Sequence, residues 1–106
     1  MSEEFDRTLL LVDKDHDFLD WATKHLAAPG LRILRCDDAD KAAKVCQKAD
    51  VHLVIADMRL EPFDGIELLK RLKARSPNIT IILTAGFPGT AQIIKASQAG
   101  AHDILG

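Results

Sequence analysis

The stretch Val51-His52-Leu53-Val54-Ile55-Ala56-Asp57 is apolar almost throughout and closes on a carboxylate. A short run of this kind is buried on both faces, the pattern of a parallel strand sandwiched between helices. In open parallel sheets ligands bind just outside the carboxyl ends of the strands, so an acid in that place marks a candidate site. Two further runs behave alike. Leu9-Leu10-Leu11-Val12 ends in Asp13, and Ile79-Thr80-Ile81-Ile82-Leu83 ends in Thr84. Two carboxylates and a hydroxyl at three strand ends form a candidate site.

Working outward, apolar runs alternate with segments of helical period. Strands are expected near Thr8–Val12, Leu31–Arg35, Val51–Ala56, Ile79–Leu83 and His102–Leu105. The first intervening helix, about His16–Ala27, carries Phe18, Trp21, Ala22, His25 and Leu26 at i, i+3, i+4 spacing, with Trp21 expected on the sheet or its rim. The second, near Ala39–Gln47, aligns Ala39, Ala42, Ala43 and Cys46. The third, after Asp64-Gly65, turns Ile66, Leu69 and Leu72 inward and leaves Glu67, Lys70, Arg71 and Lys73 mostly to solvent. Gly86, Pro88 and Gly89 make a loop; Thr90 is the expected N-cap of a fourth helix that buries Ile93 and Ile94, and Gly100 its C-cap. Strict alternation of strand and helix implies a parallel α/β sheet.

The 106 residues, 47% hydrophobic, suit one domain with one core. A net charge of −2 with both signs interspersed argues against a nucleic-acid surface. No apolar stretch approaches the roughly 20 residues of a membrane span, and no signal peptide precedes the first strand. Cys36 and Cys46 have neither metal spacing nor disulfide density and read as reduced, buried thiols of a cytoplasmic protein. His16, His25, His52 and His102 form no metal-binding spacing.

The runs Leu10-Leu11-Val12-Asp13-Lys14-Asp15, Ile55-Ala56-Asp57-Met58-Arg59-Leu60 with Asp64-Gly65, Thr84-Ala85 and Gly100-Ala101-His102-Asp103 resemble, in order and spacing, the receiver (CheY-like) domain of bacterial two-component response regulators. The resemblance covers nearly the whole chain. It implies a flavodoxin-like, doubly wound five-stranded parallel sheet of order 2-1-3-4-5, and a function as phosphoacceptor. Asp57 would take a phosphoryl group from a sensor histidine kinase, and the change of state would pass to an output domain, expected to be transcriptional. Mg²⁺ would be held by Asp13, Asp57 and the backbone carbonyl of Arg59. Thr84 would hydrogen-bond a phosphoryl oxygen, and the small Ala85 would leave it room. Helix N-termini at this edge would help hold anions. The family is regulatory rather than enzymatic, beyond self-phosphorylation and dephosphorylation.

Departures from the family pattern qualify this. Lys14 stands where a metal-ligating acid is usual, and an ammonium has no lone pair for Mg²⁺. Three arrangements are open: Asp15 shifts in as ligand; Lys14 turns to solvent and weakens Mg²⁺ affinity; or Lys14 pairs with Asp57 and replaces the metal. The third would make the chain a phosphorylation-independent pseudo-receiver, an interaction module. The family lysine after the fifth strand falls beyond Gly106, the switch aromatic is Ile104, and the loop proline is Pro62, one place late. A last strand with no following helix leaves one flank of the sheet uncovered. Residues 1–106 are therefore expected to be a receiver cut short of its C-terminal helix, with an output domain following and a homodimer formed by the full-length protein.

Overall fold

A computed structural model describes residues 6–86 and 89–105. Met1, Gly106 and the expected loop residue Pro88 lie outside that description. The chain alternates β1 (Arg7–Val12), α1 (His16–Leu26), β2 (Leu31–Cys36), α2 (Ala39–Lys48), β3 (Leu53–Asp57), α3 (Gly65–Arg75), β4 (Thr80–Thr84), α4 (Thr90–Ala99) and β5 (Asp103–Leu105). The five strands form one parallel sheet in the order β2-β1-β3-β4-β5, as the resemblance implied.

Alternation of side chains along each strand splits the core into two layers. Leu10 and Val12 of β1 join Val54 and Ala56 of β3 and Ile81 and Leu83 of β4 in a large layer. Ala39 and Ala42 of α2, Leu68, Leu69 and Leu72 of α3 and Ala96 of α4 cover it. On the other face, among the described residues, Leu9, Leu11, Leu19 and Ala22 form the buried cluster, with Phe18, Leu31, Ile33, Leu53 and Ile55 packed around it. α1 is the helix of that second layer. Its burial matches the expected stripe at Ala22 but adds Leu19, which also faces the sheet, whereas Trp21 is 56% exposed and Leu26 is also exposed. Trp21 stacks instead on His25, with ring centroids 4.6 Å apart. Leu105 is likewise exposed.

Three smaller expectations are corrected. Ile93 and Ile94 are exposed, Ile94 by 50%, because α4 buries Ala96 against the sheet and turns the isoleucines away. Gly89 rather than Thr90 is the N-cap of α4, its N–H donating to Gln92 Oε1 at 3.0 Å. Lys73 is not a free surface charge, since its ammonium donates to the carbonyl oxygens of Pro77 and Ile79 and ties the end of α3 to the start of β4. Gly100 closes α4 in the left-handed region at φ 103°, where glycine carries no Cβ penalty.

Candidate functional site

Parallel pairing sets the site. Asp57 is in register with Thr84, and Val12 with Ala56, so β1, β3 and β4 end together with Asp13, Asp57 and Thr84 at one edge. Asp13, Asp57, Thr84, Ala85 and Gly86 line the polar end of a cleft of about 590 Å³. Its apolar end runs along α1 past Phe18, Trp21 and Leu26.

Backbone donors hold both carboxylates. Asp57 Oδ1 accepts the N–H of Arg59 at 3.2 Å, and Asp13 Oδ1 accepts the N–H of Asp15 at 2.9 Å. Among the described residues no hydrogen bond reaches Asp57 Oδ2. Burial pushes the Asp13 carboxyl above its ordinary range, and the charges of Asp57 and Asp15 push it the same way. The Asp15 N–H and the Lys14 ammonium pull it down by less. The edge thus carries crowded negative charge.

Asp15 lines the same cleft. Its Oδ1 caps α1, accepting from the N–H groups of Asp17 and Phe18 at 3.0 and 3.2 Å. Asp64 likewise caps α3 through the N–H of Glu67 at 2.8 Å. The capping aspartates thus satisfy part of the free N–H groups at these two helix starts. Lys14 is exposed and, among the described residues, makes no ion pair. The Arg59 side chain is exposed too.

The donor set suits Mg²⁺. That ion takes one or two carboxylates and completes its shell with water and phosphate oxygens. Asp13 and Asp57 supply the carboxylates, and the Asp13 carboxyl is raised mainly by burial, with the charge of Asp57 adding to it. Among the described residues no group of three or more His, Cys, Asp or Glu side chains is placed to hold a metal.

Two contributors escaped sequence reasoning. Gly65, at the start of α3, lies so close to β3 that a Cβ would collide with the carbonyl oxygen of Asp57 and with Met58 Cα. Its N–H donates to the Met58 carbonyl at 2.9 Å. The Asp64-Gly65 pair signalled a helix start, not this close approach. His52, at the opposite edge, accepts the Thr8 N–H on Nδ1 at 3.0 Å and so completes the pairing where β1 and β3 begin. Cys36 and Cys46 are free; burial raises both thiols, Cys46 to about 11, so neither supplies a ready thiolate. No helix among the described residues is long and apolar enough to cross a membrane.

Over residues 9–106 the chain matches the family described as response regulator receiver domain. It is 26% identical over 98 residues to a cyclic di-GMP phosphodiesterase of Thermotoga maritima, covering 92% of this chain and 26% of that protein. It is 29% identical over 97 residues to the C4-dicarboxylate transport transcriptional regulatory protein DctD of Pseudomonas aeruginosa, covering 92% of this chain and 21% of that protein. The chain thus spans about a quarter or less of either relative. A crystal structure of a signal receiver domain of an HD domain-containing protein from Pseudomonas fluorescens superposes with a TM-score of 0.88 at 28% identity, covering 99% of this chain and 78% of that one.

Proposed function

The chain belongs to the response regulator receiver domain family, and we propose that it accepts a phosphoryl group on Asp57 from the phosphohistidine of a sensor kinase. The observation that carries this reading is the single cleft shared by Asp57, Asp13 and Thr84 at the carboxyl edge of the sheet. Receiver domains are regulatory parts of two-component systems, which pair with histidine kinases and often carry output domains.

The step is a displacement at phosphorus. Asp57 Oδ2 forms the new O–P bond, and the P–N bond of the donor breaks with its electron pair passing to the imidazole. The product is a mixed anhydride on Asp57 and a neutral histidine once that nitrogen takes a proton. Such chemistry asks the protein chiefly for positioning and charge neutralisation. The Arg59 N–H fixes the carboxylate by its other oxygen. Thr84, in register with Asp57, offers its hydroxyl to a phosphoryl oxygen, and the Ala85 methyl leaves space beside it. Asp13, Asp57 and the Arg59 carbonyl would hold Mg²⁺, which supplies positive charge against the phosphoryl oxygens when bound.

The phosphorylated state would be read by an output domain of the parent protein. A transcriptional output fits the likeness to DctD, and a cytoplasmic site of action fits a partner kinase that uses phosphohistidine. Homodimerisation of the parent belongs to the same proposal. Intact-mass measurement after treatment with acetyl phosphate and Mg²⁺ tests the central claim. Addition of one phosphoryl group, absent in Asp57→Asn, is expected; a folded protein that takes none, or takes one in the Asn variant, would overturn it.

A further inference from the structure

We infer that α1 is the contact surface of a symmetric homodimer, two copies packing antiparallel through Trp21 so that each helix lies in the other's apolar cleft. This gives a surface to the homodimerisation already proposed and does not depend on phosphoryl transfer to Asp57. Among the described residues α1 is the only helix on its face of the sheet, since α2, α3 and α4 all cover the other. Beside α1 the cleft of about 590 Å³ is floored by Leu11 and Ile55. Trp21, Leu26 and Leu105, three of the five exposed large hydrophobic side chains described, stand around it. An apolar grouping of that kind marks an association surface.

Charge selects a second copy as the occupant. Asp17, Trp21 and Lys24 recur at i, i+4 and i+7, so they share one outward face of α1, and all three are exposed. Neither Asp17 nor Lys24 belongs to an ion pair among the described residues, whereas the neighbouring Asp20 is committed to Arg35 at 2.6 Å. The face thus carries an acid one turn before the indole and a base one turn after it. A two-fold axis through Trp21 sets Asp17 of one copy against Lys24 of the other at both ends of the seam. Parallel packing would oppose like charges. The cleft is polarised in the same sense. α1 starts beside Asp13 and Asp15, so the acidic end of the cleft receives the end of the second helix where Lys24 and His25 lie. The anchor is already held: the indole stacks on His25 with centroids 4.6 Å apart and tilts against Phe18 at 6.1 Å. An aromatic side chain fixed in advance loses little freedom on binding, and Trp is enriched among the residues that dominate interfaces. α1 spans only about 16 Å. The interface is therefore small and the dimer weak, dissociating at roughly 10–100 µM.

The test is sedimentation velocity of the 106-residue protein across that concentration range, with the fluorescence of Trp21, the chain's single tryptophan, recorded on the same samples. A monomer–dimer equilibrium with no larger species is expected, and the tryptophan emission should shift to the blue as the dimer forms. Trp21→Gln should raise the dissociation constant by about tenfold or more. Asp17→Lys and Lys24→Asp should each raise it by about threefold or more. The double variant should return it to near the wild-type value, because the swapped charges again meet across the axis. Ile94→Gln, which alters an exposed side chain on α4, should leave it unchanged. Monomer throughout would overturn the inference and leave the cleft to a different occupant. Growth beyond the dimer, loss through Ile94→Gln rather than Trp21→Gln, or a double variant no tighter than the singles would overturn it as well. Because the three altered α1 positions are exposed, urea midpoints on dilute samples should stay near wild type, which excludes misfolding as the cause. Acetyl phosphate should still add one phosphoryl group to Trp21→Gln. A missing dimer with that adduct present sinks only this inference, and a dimer without the adduct sinks only the acceptor role of Asp57.

Discussion

Gly65 and Asp57 touch through their backbones: the hydrogen on Gly65 Cα takes the only space that the Asp57 carbonyl oxygen leaves open. This packs the first turn of α3 against β3 at the residue that carries the candidate chemistry. A methyl group there must push backbone against backbone, with no flexible side chain to yield.

Gly65→Ala is therefore expected to cost about 1–3 kcal/mol, the usual range for overpacking. Urea denaturation followed by circular dichroism measures it. Phosphorylation of Asp57 should fall as well, since the strand end itself moves. A variant as stable and as reactive as wild type would show that the contact is slack.

Asp13→Asn should raise stability at neutral pH in the absence of divalent cations. The Asp13 carboxyl sits above its ordinary value of 3.8 in the folded protein, mainly through burial. Folding thus favours its protonated form, and its contribution is lost as pH rises from 3.8 through the raised value. At pH 7 the ionised side chain is a burden that asparagine lacks, while asparagine keeps an oxygen for the Asp15 N–H. Urea midpoints at pH 7 and near pH 3.5 check this: the gain should be present at the first and shrink toward zero at the second.

His52→Phe keeps a ring at the start of β3 but removes the acceptor of the Thr8 N–H. Thr8 is buried, so its amide would be left without water or partner. A loss of about 1–3 kcal/mol is expected. Faster exchange of the Thr8 amide, read by NMR, separates this cause from a packing defect elsewhere.

Trp21→Gln should reduce binding of an apolar fluorescent dye. Trp21, Leu26 and Leu105 are exposed around the apolar end of the cleft, a grouping that solvent disfavours. Dye fluorescence titrated against wild type and variant measures it, and equal signals would place the dye elsewhere.

The strands were legible because the apolar runs are long and each is bounded by turns; their order came from the family resemblance. Asp13, Asp57 and Thr84 were legible as a cluster because parallel strands must present their carboxyl ends together. Helix faces were harder to read. In α1 the spacing pointed to Phe18, Trp21, Ala22, His25 and Leu26; Ala22 does face the sheet and Phe18 packs beside it, but Leu19 is buried with them while Trp21 and Leu26 are exposed. Periodicity gives a stripe but not the angle at which the helix meets its layer. Ile93 and Ile94 misled for a related reason, since apolarity does not reveal whether a covering layer exists. Gly65 and His52 act through contacts fixed by tertiary register, which no local pattern encodes.

The uneven thickness of the two layers bears on how the molecule opens. α2, α3 and α4 share one broad cluster with the centre of the sheet, while α1 is fastened through Leu19 and Ala22 with a thin fringe of partners. Cooperative units with little buried contact unfold locally before the rest. Amide hydrogens in α1 should therefore exchange with deuterium through a low-energy partial opening, well ahead of those in α3. Because α1 begins immediately after Asp13, Lys14 and Asp15, each such excursion would unsettle the rim of the cleft while Asp57 stays fixed on the slow-exchanging centre of the sheet. The acceptor and the charges that face it would then move on separate clocks.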